Sequence, residues 1–349
     1  MRKDEHSVRV EPMGRTLQVH AAQPVLEAAL AAGLNLPHSC KSGHCGSCRA
    51  HLVEGAIHYP NGRPLGLSAA EEAGGFVLLC QARADTDLVV TARLIANVAD
   101  VEIKTLPCRI ERLTHLAPDV MQVMLRLPAV EALRFQPGQY LDVLLDNRRR
   151  SFSIASPPHD ARLIELHVRR VAGGGFTERF FGAPGQQDPP LNLGSLLRIE
   201  GPIGQFIYRD GAGPVLMVAG GTGFAPLKSM LRHVLERGGP RRIHFYWGAR
   251  HVRDIYEESL VLEWVRRHSQ LSFTAVLSEA TAVEAAHHRV GWVHDAVLAD
   301  YPDLTPFEVY AAGPPAMIEA LRASFPRHGL APQRLYFDSF DYAPDVKRR

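Results

Sequence analysis

The sequence predicts a multidomain protein of three fold classes: an α+β domain of β-grasp type over residues 1–98, an antiparallel β-barrel over 105–210, and a doubly wound α/β domain over 211–349, with 99–104 as a linker. Three observations predict this. Cysteines gather within the first hundred residues in a loop that interrupts a strand–helix–strand pattern. From about 105 to 210 short apolar runs alternate with turn signals. From about 213 strand-like and helix-like runs alternate, and two of the strands run into glycine loops.

Composition bounds what the chain does. Its 349 residues suit two or three domains. With 46% hydrophobic and 22% charged residues it reads as globular. The 39 basic and 37 acidic side chains leave a net charge of +2, far from the basic excess of a nucleic-acid binder. No run of about 18 apolar residues occurs, so no membrane span is expected. Met1 to His6 lead into no apolar segment, so no signal peptide is expected. Five cysteines, four of them in one metal-like pattern, argue against a disulfide scaffold and for a reducing cytoplasm.

In the first domain Val8–Val10 and Leu17–Val19 alternate as strands. Pro24 opens a helical run from Val25 to Leu30 that stops at Gly33. A loop then carries Cys40, Cys45 and Cys48 in C-x4-C-x2-C spacing, and Cys80 follows after 31 intervening residues at the end of an apolar strand, Phe76–Cys80. A further strand, Asp87–Thr91, closes the sheet. This is plant-type ferredoxin spacing, in which four thiolates hold a 2Fe–2S cluster. Gly43 and Gly46 let the loop wrap tightly, turning backbone N–H groups toward sulfur. A zinc knuckle or unligated thiols are the competing explanations. Structural zinc sites usually show two C-x2-C pairs or a Cys/His mixture, and only Cys45 and Cys48 form such a pair here. Residues 1–98 hold nine acidic and nine basic side chains, neutral before a cluster adds about −2. Lys41 and Arg49 flank the loop and would offset that charge. A free shuttle that docks by charge would be acidic, so neutrality suits a tethered domain.

In the barrel, Met121–Leu125, Tyr140–Leu144 and Leu163–Val168 alternate as strands, separated by Pro137-Gly138 and Pro157-Pro158. Cys108 lies in another alternating run, Leu106–Leu113, and reads as a core thiol. Arg150-Ser151-Phe152-Ser153 places a guanidinium beside an aromatic ring. On a regular strand Arg150, Phe152 and Ser156 share one face. Arg150 would pair with the pyrophosphate of a flavin dinucleotide, Phe152 would cover the flavin ring, and Ser153 would donate to its reactive edge. A surface arginine beside one buried phenylalanine is the plainer alternative. Downstream, Gly173-Gly174-Gly175 opens a helix-like run at Thr177, so Gly174, Gly175 and Thr177 are candidate phosphate contacts, or else a bare glycine turn.

In the α/β domain a buried strand, Pro214–Ala219, ends at Gly220-Gly221-Thr222-Gly223, and a helix follows from about Ala225 to Leu235. Open α/β sheets bind nucleotides at such carboxyl ends. The loop is neither G-x-G-x-x-G nor a Walker loop. The strand Glu308–Ala312 ends likewise at Gly313-Pro314-Pro315-Ala316-Met317. The two loops together are expected to hold a nicotinamide nucleotide, with Gly221, Thr222, Gly223, Gly313, Pro314 and Met317 as contacts. Arg250, after the strand Ile243–Gly248, falls near the ribose or adenine or is a plain surface residue.

With those motifs together, the chain resembles the ferredoxin–NADP reductase superfamily over about residues 7–340. The resemblance extends to the reductase components of bacterial oxygenases and phenol or methane monooxygenases, and to sugar-deoxygenation reductases of the CDP-6-deoxy-glucoseen type. It implies FAD, a 2Fe–2S cluster and NADH, with NADPH as the other donor. It also implies flavin contacts at His167 and Val168 and a C-terminal aromatic, Phe340, close to the flavin, although packing explains Tyr336, Phe337 and Phe340 equally well. The implied activity passes a hydride from NAD(P)H to FAD, with Ser153 and Thr222 at the transfer point, then single electrons through the cluster to an oxygenase, hydroxylase or dehydrase. Phe152 stands where relatives often have Tyr, and Ala312 where many have Cys. A stand-alone flavin or ferric reductase, and a redox-sensing iron–sulfur interaction protein, are the alternatives. Sustained NADH turnover separates the last from the others.

Overall fold

The computed structural model describes all residues other than 1–3, 35, 39–40, 42, 44–45, 65, 93–102, 146–147, 161, 172–174, 183–188 and 341–349. Most of the expected linker lies outside the described residues. Two compact units form, Met1–Val101 and Glu102–Arg349.

In the first unit, β1 (Glu5–Glu11), β2 (Arg15–His20), β3 (Arg49–Glu54), β5 (Phe76–Leu78) and β7 (Leu88–Thr91) form one sheet in the order β2-β1-β7-β3-β5. β1 pairs antiparallel with β2 and parallel with β7. A second ribbon joins β4 (Ile57–His58) to β6 (Arg83–Ala84). Alternation puts Val8, Val10, Leu17 and Val19 inside. The helix α1 (Val25–Ala31) covers them with Val25, Leu26, Ala28 and Ala29. At seven residues it is too short to stand alone, and this burial is what holds it. It ends before Gly33, whose φ of 73° only glycine adopts easily. A helix across a mixed sheet is the β-grasp arrangement. One detail differs from expectation. The strand that leads to the fourth cysteine stops at Leu78, and Cys80 sits in the turn after it, where Gln81 and Ala82 both donate to Leu78 O. The short helix α2 (Ala69–Ala73) precedes that strand.

The second unit begins with a six-stranded antiparallel sheet. Its strands are β8 (Lys104–Ala117), β9 (Val120–Arg126), β10 (Tyr140–Leu145), β11 (Arg148–Ser153), β12 (Leu163–Arg169) and β13 (Leu196–Ile203), in the order β11-β10-β13-β8-β9-β12. A bridge between Ile154 and Leu166 joins the two edges and closes the barrel. Its interior holds Ile110, Val123, Leu125, Leu141, Val143 and Leu166. Cys108 is buried among them.

The rest of the unit is a parallel sheet of β14 (Val215–Gly220), β15 (Ile243–Ala249), β16 (Leu271–Leu277), β17 (Arg289–Val290), β18 (Glu308–Gly313) and β19 (Leu335–Ser339), in the order β17-β16-β15-β14-β18-β19. One face packs on α3 (Phe224–Arg237) and α4 (Glu258–Arg267), the other on α6 (Val293–Asp300) and α7 (Pro315–Ser324). A single turn, α5 (Ala282–Ala285), lies between β16 and β17. The chain leaves β14 toward β15 and leaves β18 toward β19. The order therefore reverses between β14 and β18, and an open α/β sheet opens its crevice at that point.

Tyr336 and Phe337 belong to β19. Tyr336 stacks on Tyr310 with centroids 4.9 Å apart, and the Arg322 guanidinium lies 5.4 Å from the Phe337 ring centre. They are sheet residues with packing partners of their own.

Candidate functional site

In the cysteine loop, Cys40 and Cys45 lie outside the described residues. Cys48 and Cys80 are buried side by side, and the Cys80 N–H points at Cys48 Sγ from 3.5 Å. Lys41, Gly43 and Gly46 all have positive φ, at 54°, 83° and 70°. A Cβ on Gly43 would come within 2.8 Å of Gln81 Cγ and 2.9 Å of Pro64 Cβ. Gln81 in turn donates to Lys41 O at 2.9 Å, and Gly66 N donates to Gly43 O at 2.8 Å. The loop is thus wound by left-handed residues and clamped from both sides. Buried sulfurs with an amide aimed at one of them fit a thiolate-held cluster. Arg49 departs from expectation. It pairs with the Glu71 carboxylate and lies over Phe76, so much of its charge is already balanced within the polypeptide.

On the barrel, β11 aligns Ser153 with Tyr140 and Ser151 with Asp142 on β10. Ser151 donates to Asp142 at 2.6 Å, and Arg149 bridges Asp142 and Glu200. Phe152 is half-buried against Phe176, with ring centroids 6.1 Å apart, and the Arg150 guanidinium lies 5.5 Å from the same ring. Ser153 is buried at the strand end. Ser156 does not share a face with Arg150 and Phe152, because β11 ends at Ser153. Its hydroxyl accepts from Glu165 N instead. Gly174 lies outside the described residues. A Cβ on Gly175 would stand 3.0 Å from Arg148 Nη1, so the guanidinium that adjoins the glycine loop is that of Arg148, two residues before Arg150. The expected helix after that loop is one 3-10 turn, Thr177–Phe180, too short to carry a helix dipole. Thr177 accepts from Val171 N at 3.0 Å and ties its own loop. The side chains of His167 and Val168 are buried. They sit on β12 beyond the Ile154–Leu166 bridge, where the strand is a sheet edge, so a ligand there would meet main chain.

On the α/β sheet the glycines have a steric explanation. A Cβ on Gly223 would fall 1.8 Å from Ala312 O, one on Gly220 2.7 Å from Pro314 Cδ, and one on Gly313 2.8 Å from Met317 Cε. The two loops therefore touch at the switch point, Gly220 against Pro314 and Met317 and Gly223 against Ala312 and Gly313. The Trp247 indole N–H holds the first loop through Gly221 O at 3.0 Å, and its ring stacks on Phe224 at 4.0 Å. Phe340 N donates to Gly313 O at 2.9 Å, which brings Phe340 to the second loop. Ser339, beside it, has a buried hydroxyl with no hydrogen-bond partner, an unmet polar atom that suits a polar ligand at these strand ends. Ala312 is fully buried and offers no polar group. Arg250 is exposed and accepts from Glu279 N through its carbonyl at 3.0 Å.

Sequence reasoning named His167 only as a flavin contact and missed Glu165, Lys228 and Glu257, the charged residues that with it join barrel to sheet. Glu165 and His167 on β12 meet Lys228 on α3 and Glu257 just before α4. Lys228 Nζ lies 2.8 Å from Glu165 Oε1 and 2.7 Å from each Glu257 oxygen. His167 reaches Glu165 at 3.0 Å through Nε2 and the Tyr256 hydroxyl at 2.9 Å through Nδ1. Burial opposes charge on Glu165, but its bonds to His167 and Lys228 outweigh that and hold the carboxyl well below the usual range. Burial also pushes Tyr256 well above the ordinary phenol range, so it remains a donor. Glu165, His167 and Glu257 have the spacing of a metal site. The Lys228 ammonium already stands where the cation would be. The signal was legible: a Glu inside Leu163–Val168 and a Lys inside Phe224–Leu231 are charges in apolar runs, and buried charges come paired.

Three family profiles match in the order of the three domains. They are a 2Fe-2S iron-sulfur cluster binding domain at residues 8–85, an oxidoreductase FAD-binding domain at 107–208 and an oxidoreductase NAD-binding domain at 217–323. The chain is 35% identical over 336 residues to the CDP-6-deoxy-L-threo-D-glycero-4-hexulose-3-dehydrase reductase of Yersinia pestis, covering 96% of this chain and 98% of that protein. The chain belongs to the ferredoxin–NADP reductase superfamily. Reductase component 2 of the terephthalate 1,2-dioxygenase of Comamonas sp is 34% identical over 343 residues, 97% of this chain and 98% of its own. Among solved structures, the Amycolatopsis cytochrome P450 reductase GcoB superposes with a TM-score of 0.74 at 31% identity, covering 96% of this chain and 98% of that one. This reductase is accordingly an NAD(P)H-dependent iron–sulfur flavoprotein with 2Fe–2S, FAD-binding and NAD-binding domains in one chain. No helix among its described residues is long and apolar enough to cross a membrane.

Proposed function

We propose that this chain is the reductase component of a multi-component system, drawing on NADH and serving an oxygenase, hydroxylase or dehydrase in the cytoplasm. The partner class follows the relatives that match nearly end to end, a dehydrase reductase and a dioxygenase reductase. A flavin supplies the chemistry that converts a two-electron hydride into single electrons for an iron–sulfur centre. The chain's residues bind and align. Arg150 and the loop at Gly174, Gly175 and Thr177 hold the dinucleotide phosphates, Phe152 with main chain at His167 and Val168 lines the ring, and Ser153 donates to its reactive edge. Gly221, Thr222 and Gly223, together with Gly313, Pro314 and Met317, seat the nicotinamide nucleotide, with Phe340 at the second loop and Arg250 toward the ribose. Cys40, Cys45, Cys48 and Cys80 hold the cluster. The domain bounds 1–98, 105–210 and 211–349 are proposed on the same basis.

The observation that carries this is the contact between the glycine loop and the barrel. A Cβ on Gly221 would lie 3.0 Å from Arg169 Nη1, so the first nucleotide loop abuts the strand that carries His167 and Val168. NADH is favoured because Glu279, exposed beside Arg250 at the end of β16, would repel a 2′-phosphate and accept from a 2′-hydroxyl. Purified holoprotein given NADH or NADPH without oxygen tests the proposal. Bleaching of the flavin followed by a paramagnetic cluster signal, with higher kcat/KM for NADH, is expected. Absence of either signal with both nucleotides overturns it.

A further inference from the structure

We propose that Lys228 is a positioning residue for hydride transfer: it pins the glycine-loop helix to the flavin barrel by sharing its ammonium between one carboxylate from the barrel and one from the nucleotide sheet. The proposal rests on the reading that flavin sits on the barrel and nicotinamide on the sheet. The geometry gives Lys228 three acceptors for three donors: Glu165 Oε1 at 2.8 Å, and Glu257 Oε1 and Oε2 at 2.7 Å. Lys228 is 3% exposed and Glu165 4%, so water does not loosen the contact. Gln122 also donates to Glu165 Oε1, at 2.5 Å. A second tie lies next to the first, where the Ser229 hydroxyl donates to Ser156 O at 2.8 Å.

These contacts close a short mechanical path. Ser153 ends β11, and within three residues the chain is bonded to Glu165 twice, through Ala155 N to Glu165 O at 2.8 Å and Glu165 N to Ser156 Oγ at 3.1 Å. Glu165 is bonded to Lys228. Lys228 stands on the second turn of α3, which begins at Phe224 directly after Gly221–Gly223. The bonded path between the two proposed transfer residues, Ser153 and Thr222, therefore runs through this junction. Misalignment of reacting atoms by about 1 Å costs about 10²-fold in rate. A largely buried ion triad does little for stability compared with apolar packing, so fixing one arrangement is the role that suits it.

The test is Lys228→Met in the holoprotein, read as the rate of flavin bleaching by saturating NADH per bound flavin. That rate is expected to fall about 10²-fold, with the KM for NADH near wild type. Electron flow from dithionite-reduced protein to cytochrome c should be unchanged, and Lys228→Arg should recover most of the bleaching rate. A purely structural role would reduce flavin content or melting temperature but leave the rate per flavin unaltered, and that result overturns the proposal. Because Lys228→Met takes the cation from two carboxylates and so threatens folding, a second variant, Lys228→Met with Glu165→Gln and Glu257→Gln, removes those charges. Slow bleaching in that triple variant supports the pin, and wild-type bleaching overturns it. If the wild-type protein itself shows no bleaching by NADH, the functional reading fails. If wild type bleaches and Lys228→Met bleaches equally fast, only the pin fails.

Discussion

Gly223 and Ala312 meet backbone to backbone: a side-chain carbon on Gly223 would lie 1.8 Å from the Ala312 carbonyl oxygen. The two residues lie 89 positions apart in the chain, Gly223 on the loop that follows β14 and Ala312 near the end of the neighbouring parallel strand β18. Their contact makes the switch point a shaped surface built from main chain, suited to a ligand that approaches backbone closely.

Gly223→Ala is expected to force those loops apart. Overpacking of this kind costs about 1–3 kcal/mol, and the displaced loop should raise the KM for NADH. A thermal melt and a steady-state NADH titration check it. A variant with wild-type melting and wild-type KM would show that the loops accommodate the methyl group.

Ser153→Ala removes one buried hydroxyl at the end of the flavin strand. If that hydroxyl stabilises charge at the transfer point, flavin reduction slows about 10²-fold while NADH binding changes little. Stopped-flow bleaching measures both, and unchanged bleaching removes Ser153 from the mechanism.

Cys80→Ser should abolish cytochrome c reduction through the cluster while ferricyanide reduction by NADH continues. The visible spectrum should lose its iron–sulfur contribution and keep that of the flavin. Full cytochrome c activity with an intact iron–sulfur spectrum would remove Cys80 from the ligand set.

Burial pushes the Cys108 thiol up to about 12. Its folded value is raised above the unfolded value of about 8.5, so its contribution to stability is fully present below about 8.5 and is lost as pH rises toward 12. Native protein treated with iodoacetamide near pH 8 should stay unlabelled at Cys108 and become labelled once unfolded, as peptide mass spectrometry would show. Rapid labelling of the native protein contradicts the burial.

Much of the fold was legible because its signals are local. Alternation at Val8–Val10 and Leu163–Val168, the cap pattern from Pro24 to Gly33, and glycines placed straight after Val215–Ala219 and Glu308–Ala312 each report one element through its own neighbours. Errors and open choices arose where local pattern and tertiary context part. Tyr336 and Phe337 read equally as a flavin-side tail or as packing, and pairing along the edge of β18 decides for packing. Ser156 reads as the next residue on a strand face, but β11 ends once Ile154 bridges to Leu166. Thr177 reads as the start of a helix, but the run lasts a single turn.

The chain by itself determined its three domain classes and its cofactor chemistry, because thiolate spacing, strand alternation and glycine placement act over a few residues. Only the tertiary structure decided how the barrel meets the nucleotide sheet. Glu165, Lys228 and Glu257 are far apart in sequence, and no local rule reveals which buried charge answers which. That choice is made by long-range packing, where a charge removed from water must find its partner or the fold does not form.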